Sequence, residues 1–128
     1  MNAGYSDKSL VGKLGYKPID TVYIYNAPEE FQDYLRSEHV VGSHGLPALW
    51  AHGFFKNQAE LHAFLDSIDL DNIEKGLWVS WPKKSSSVKT DLTEQNFRDL
   101  ILPLGWVDVK VVAIDETWSA LKFLRRRT

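Results

Sequence analysis

Lysine and hydroxyl side chains are concentrated in residues 81–90, which read WPKKSSSVKT. Lys83 and Lys84 directly follow an apolar run, and Lys89 and Thr90 stand just before a predicted helix. Ammonium groups near the N-terminal end of a helix can hold an anion such as a phosphate or a carboxylate. A lysine–serine segment is also typical of a solvated loop that binds nothing, and the glycine that usually shapes a phosphate-binding loop is missing here. The sequence leaves both interpretations open.

A second candidate is the acidic pair Asp115 and Glu116, which is closely followed by Trp118. Two carboxylates beside an aromatic ring could carry acid–base chemistry if burial changed the pKa of one of them. Aspartate is also common in tight turns, so the pair could simply shape a hairpin. The three tryptophans Trp81, Trp106 and Trp118 are more than a core of this size strictly needs. Trp81 and Trp118 are therefore predicted to join the acidic pair in an interaction surface.

The four histidines, His39, His44, His52 and His62, do not predict a metal site. A zinc site needs three or four converging ligands, and no carboxylate spacing in this sequence completes one. His52 lies in an otherwise apolar run and is predicted to be a hydrogen-bonded core residue. Cysteine is absent, and no serine-triad elbow, Walker loop or helical zinc motif is present. We therefore predict no catalytic residue and no metal.

The elements that would position these residues follow from the apolar patterns. Strands are predicted at residues 21–25, 48–55 and 76–81, and each is apolar on both faces, as in the interior of a parallel sheet. The helices between these strands are predicted to begin at Asn26 and at Asn57, which are good N-cap residues.

The C-terminal third predicts a capped helix followed by a β-hairpin. Asp91 and Glu94 fit a capping box, and residues 107–124 alternate in polarity around a short turn. A further short helix, capped by Ser6, is predicted to precede the first strand. The whole chain, residues 1–128, is thus predicted to be one small α/β domain. We expect a reduced Rossmann-like, mostly parallel sheet with helices on both faces and a C-terminal antiparallel β-hairpin.

The composition is that of an ordinary folded domain. The 128 residues carry a net charge of −2, which predicts no strong attraction to nucleic acid or to anionic membranes. The cluster Arg125–Arg127 is predicted to be a solvated tail. No apolar run reaches the roughly 20 residues of a membrane-spanning helix, and the N-terminus lacks a signal-peptide pattern. We therefore expect a cytoplasmic protein without a membrane partner.

Two long motifs carry a resemblance to a known family. Residues 77–94 read LWVSWPKKSSSVKTDLTE, and residues 102–123 read LPLGWVDVKVVAIDETWSALKF. These motifs resemble the small bacterial proteins grouped as domain of unknown function 3052. The N-terminal segments GYS and LGYKP, residues 4–6 and 14–18, are similar to the same family. That family has no assigned activity, so the resemblance implies an architecture and no chemistry.

The predicted order of elements also resembles the fold of class I S-adenosylmethionine methyltransferases, which end in a strand, a helix and an antiparallel hairpin. Those enzymes use a glycine-rich turn after the first strand, so that the backbone can approach the cofactor. Here that turn, residues 26–30, reads NAPEE, with no glycine and two negative charges. The resemblance therefore implies the fold, and we predict no cofactor.

Two classes of function follow. The first is a non-catalytic binding or interaction domain on a degenerate Rossmann-like scaffold, with an unknown protein partner or with self-association. The alternative is a small-molecule enzyme or an anion or nucleotide binder that uses Lys83 and Lys84 in the loop after the third predicted strand.

Overall fold

The computed structural model describes residues 9–126 as a single sheet flanked by helices. Its strands are β1 (Thr21–Tyr25), β2 (Val41–Ser43), β3 (Ala48–Phe54), β4 (Ile73–Pro82), β5 (Trp106–Ala113) and β6 (Trp118–Arg125). Its helices are α1 (Ser9–Leu14), α2 (Glu29–Ser37), α3 (Gln58–Ser67) and α4 (Glu94–Ile101), with short 3₁₀ helices at Leu70–Asn72 and Leu102–Leu104. Within these described residues, no helix is long and apolar enough to cross a membrane.

The sheet has the strand order β2-β1-β3-β4-β6-β5. Strands β2, β1, β3 and β4 are mutually parallel, whereas β6 is antiparallel to both of its neighbours. The chain leaves β4, crosses through α4 to the edge strand β5, and then returns as β6 to fill the gap. The predicted α/β class, the mostly parallel sheet and the C-terminal hairpin are confirmed. The short edge strand β2 lies in a segment that the sequence predicts to be a loop.

Two apolar layers hold the helices against the sheet. Helices α1 and α2 pack on one face, together with Trp50 and Trp78. Helices α3 and α4 pack on the other face, together with Trp81 and Trp106. Each of the 5 tryptophans is at most 7% exposed. The expectation that they exceed the needs of the core is therefore wrong, since the two layers use all of them.

Two of the predicted helix starts differ from the structure. Asn26 is not an N-cap: it has a φ of 59° in the turn after β1, and α2 begins only after Pro28. The capping box of α4 is formed by Thr93 and Asn96, whose Oδ1 accepts the N–H of Thr93 at 2.8 Å. Asp91 instead accepts the free N–H of Gln58, the first residue of α3, at 2.9 Å. The predicted cap at Asn57 is confirmed, and Ser6 lies outside the described residues.

The C-terminal arginines are not simply a solvated tail. The guanidinium of Arg125 donates hydrogen bonds to the carbonyl oxygens of Ile73, at 2.9 Å, and Leu70, at 3.2 Å. It also lies 5.2 Å from the ring centroid of Trp106, where a cation is attracted by the π electrons. Arg125 thus links the end of β6 to the start of β4 by hydrogen bonds. Arg127 lies outside the described residues.

A buried polar chain crosses the α1 side of the core. The hydroxyl of Tyr16 is hydrogen-bonded to Nδ1 of His52 at 3.0 Å, and Nε2 of His52 is hydrogen-bonded to Oγ of Ser80 at 2.7 Å. His52 and Ser80 are fully buried. The two hydrogen bonds therefore satisfy polar atoms whose burial without a partner would destabilise the fold. The prediction that His52 is a hydrogen-bonded core residue is confirmed. Burial lowers the pKa of His52 to about 3.

Trp50 requires a glycine in the neighbouring strand. A β-carbon at Gly76 would lie 2.5 Å from Cζ3 of Trp50, closer than van der Waals contact allows. We expect Gly76→Ala to lower the free energy of unfolding by about 1–3 kcal/mol because the rigid indole must move. Urea unfolding measures this change. Gly12→Ala is the control, since a β-carbon there meets nothing within 4 Å; an equal loss in both variants would contradict the close fit.

The buried His52 also predicts a pH dependence of stability. In the unfolded chain His52 binds a proton near pH 6.5, but in the folded protein it stays neutral down to about pH 3. The free energy of unfolding should therefore fall as the pH decreases below 6.5, by about 1.4 kcal/mol per pH unit, and should not change on this account at higher pH.

Urea unfolding on both sides of that pH checks this expectation. His52→Gln should flatten the slope, whereas His62→Gln, at an exposed position on α3, should retain it. A slope that is the same in all three proteins would show that His52 is not its source.

Candidate anion-binding site

The lysine segment leaves the sheet at the carboxyl end of β4, which is the edge where open α/β sheets bind ligands. Its backbone is held by hydrogen bonds. The N–H of Lys83 donates to the carbonyl oxygen of Thr117 at 2.7 Å, and the hydroxyl of Ser86 donates to the carbonyl oxygen of Lys83 at 2.9 Å. At its far end, Asp91 is tied to Gln58 at the start of α3. The loop therefore has a defined path between β4 and α4.

This path borders an open surface cavity of about 470 Å³ between the loop, the first turn of α4 and the start of β6. The cavity is lined by Trp81, Lys83, Lys84, Leu92, Thr93, Glu94, Gln95, Arg98 and Ser119. Ser119 reaches this place because β6 lies directly beside β4, with Ser119 paired to Trp81.

The lining carries positive charge that the protein does not neutralise. Within residues 9–126 neither Lys83 nor Lys84 forms an ion pair. Arg98, by contrast, donates to Asp108 at 2.9 Å and to Glu94 at 2.8 Å. Both hydrogen bonds raise the pKa of Arg98, and the bond to Asp108 has the larger effect. The same bond lowers the pKa of Asp108. The two lysines are thus the charges left to attract an anion.

The other two residues of the predicted anion site do not line the cavity. Thr90 uses its hydroxyl oxygen to accept the N–H of Leu92 at 3.0 Å, and Lys89 is exposed. The sequence offered one signal for Arg98, since Glu94 and Arg98 have the i,i+4 spacing of a helical ion pair. It offered none for Ser119, whose place depends on the pairing of β6 with β4.

The acidic pair shapes the turn between β5 and β6. Oδ1 of Asp115 accepts the N–H groups of Thr117 and Trp118, each at 2.8 Å, so the predicted turn role is confirmed. Glu116 is exposed. The ring of Trp118 is 7% exposed and packs against Phe54 with centroids 5.1 Å apart. An interaction surface at these residues and Trp81 stays a prediction; both tryptophans are only 7% exposed.

A second cavity, of about 320 Å³, lies between the carboxyl ends of β1 and β3. At this point the chain continues from β1 to one side of the sheet and from β3 to the other side, which is where open α/β sheets commonly form a crevice. It is lined by Asn26, Ala27, Phe54, Lys56, Glu60 and Trp118. Its carboxylate, Glu60, accepts the backbone N–H of Lys56 at 2.6 Å. One lysine and one carboxylate give this crevice less excess positive charge than the cavity beside α4.

The remaining histidines line neither of these two cavities. His39, His44 and His62 are exposed, and His44 lines a third cavity, of about 460 Å³, beside α2. No group of three or more histidine, cysteine, aspartate or glutamate residues that could hold a metal ion occurs in the described part of the chain.

One solved structure is similar to this fold. It is the crystal structure of a protein in the NADB-Rossmann superfamily from Streptococcus agalactiae, with a TM-score of 0.50 and 13% sequence identity. The alignment covers 100% of this chain but 65% of that protein. At this identity the similarity shows a Rossmann-like fold and nothing about ligands. Comparison with curated proteins finds no match.

The sequence itself matches a family model over residues 53–128, more than half of the 128 residues. The matched range includes both cavity lysines and the C-terminal hairpin. The expectation of a family without an assigned function is confirmed, but the particular family that the motifs resemble, domain of unknown function 3052, is not the one that matches. The chain belongs to the family described as Domain of unknown function (DUF8412).

Proposed function

We propose that this protein is a non-catalytic binding domain for a small ligand that carries a phosphate or carboxylate group. One observation supports this most strongly: Lys83 and Lys84, which form no ion pair within residues 9–126, line a cavity of about 470 Å³ at the carboxyl edge of the sheet. Ammonium groups beside such a cavity attract an anion, and a charge-assisted hydrogen bond is about twice as strong as a neutral one.

The composition of the lining favours binding over catalysis. The hydroxyls of Thr93 and Ser119 have no histidine beside them among the lining residues, and the carboxylate of Glu94 already accepts a hydrogen bond from Arg98. A hydroxyl nucleophile needs an adjacent general base to be activated. The lining therefore lacks a hydroxyl–histidine pair, and its two lysines without an ion pair favour the binding of an anion.

Other parts of the sequence-based hypothesis stay predictions. These are a protein partner or self-association, a cytoplasmic location and a bacterial origin. The enzyme alternative would require Lys83 or Lys84 to act as a base or a nucleophile rather than as an anion ligand.

The proposal predicts a stabilising ligand among small anions. Inorganic phosphate, pyrophosphate and citrate should be screened by thermal unfolding, because an anion that binds only the folded protein raises its melting temperature. With Lys83→Gln and Lys84→Gln combined, the affinity should fall at least roughly tenfold, as expected for the loss of a charge-assisted hydrogen bond. Lys89→Gln, in the same loop but outside the cavity, should bind like the unmodified protein.

Three results would count against the proposal. The first is the absence of any shift at millimolar concentrations of all three anions. The second is an equal loss of affinity in the Lys89→Gln control, which would indicate nonspecific attraction to the loop. The third is binding that survives in the double variant but is lost in Lys56→Gln, which would place the ligand in the crevice between β1 and β3.

A further inference from the structure

Three lysines lie together on the opposite side of the sheet from α4. Lys110 on β5 is directly opposite Lys122 on β6, and Lys122 is in turn opposite Trp78 on β4. Opposite residues on neighbouring strands point to the same face, here the face of α1 and α2. Lys75 joins them from the start of β4. We call Lys75, Lys110 and Lys122 the hairpin lysine cluster.

Two of these ammonium groups are held over the same indole ring. Nζ of Lys122 lies 5.1 Å from the ring centroid of Trp50, and Nζ of Lys75 lies 5.3 Å from it. Lys122 is also 5.7 Å from the ring centroid of Trp78. Cation–π attraction of this kind positions ammonium groups without neutralising them. The cluster is therefore organised by the buried core beneath it.

No described residue compensates the charge of the cluster. Within residues 9–126, none of the three lysines forms an ion pair or donates a side-chain hydrogen bond. Like charges placed directly opposite each other on neighbouring strands destabilise a sheet. The pKa of Lys122 is lowered, first because the side chain is half-buried and then because Lys110 and Lys75 repel its charge. The folded protein therefore retains a repulsion that a bound anion would relieve.

We propose that the hairpin lysine cluster binds a phosphate group. Phosphate esters carry about two negative charges near neutral pH and offer three strong acceptor oxygens. A phosphate therefore complements a cluster of three ammonium groups better than a carboxylate, which neutralises only one charge. Lys75 and Lys110 are exposed, so the phosphate can belong to a free small molecule or to a phosphorylated side chain.

The test uses the Lys83→Gln, Lys84→Gln protein, so that binding in the cavity beside α4 does not contribute. NMR of the lysine side chains follows their pKa values during titration with inorganic phosphate. Phosphate should raise the pKa of Lys122 and leave the side-chain resonances of Lys17, an exposed lysine near β1, unchanged. Lys110→Gln should raise the pKa of Lys122 without phosphate and weaken phosphate binding about tenfold.

A parallel titration with phosphoserine separates the two sources of the group. Tighter binding of phosphoserine than of inorganic phosphate would indicate a phosphorylated side chain, and the reverse would indicate a free phosphate. The proposal is overturned if phosphate leaves the pKa of Lys122 unchanged, if Lys17 responds equally, or if Lys110→Gln has no effect. Since Lys110 is exposed, we expect Lys110→Gln to fold like the parent protein.

Discussion

The two central strands, β3 and β4, are buried on both faces, and the other elements are arranged to cover them. Trp50 on β3 fills the α1 side so closely that its neighbour Gly76 cannot carry a side chain. His52 and Ser80 place a hydrogen-bonded pair inside the same layer, completed by Tyr16 from the segment after α1. These hydrogen bonds join the segment after α1 to β3 and β4 in the interior of the sheet.

This arrangement decides where the candidate sites lie. The crossover connection through α4 places β5 at the edge of the sheet. Strand β6 then returns between β4 and β5, which brings Thr117 and Ser119 beside the end of β4. The cavity with Lys83 and Lys84 forms on one side of that junction. On the other face, Lys110 and Lys122 of the hairpin lie together with Lys75 of β4, and a β-carbon at Gly15, just after α1, would lie 3.5 Å from Nζ of Lys122. A protein with a net charge of −2 thus has two local concentrations of positive charge.

The alternation of doubly apolar strands with capped helices was enough to predict the α/β class and the C-terminal hairpin. Two side-chain roles were also predictable, those of His52 in the core and Asp115 in the turn, because each depends on neighbours close in the chain or on a strongly apolar strand. The caps at Asn26 and Asp91 were wrong for a specific reason. Several residues near a helix start can accept a free N–H, and tertiary packing determines which of them does so. Asp91, for example, accepts the N–H of Gln58 at the start of α3 rather than an N–H of α4.

The sequence by itself determined the strands, the helices and a lysine-bearing loop at the carboxyl edge of the sheet, since these follow from local patterns of polarity. Only the tertiary structure decided which lysines act together. It joined Lys83 and Lys84 to Arg98 and Ser119, left Lys89 outside, and brought Lys75, Lys110 and Lys122 to one face. The physical reason is strand register, because a shift by one residue sends a side chain to the opposite face of the sheet.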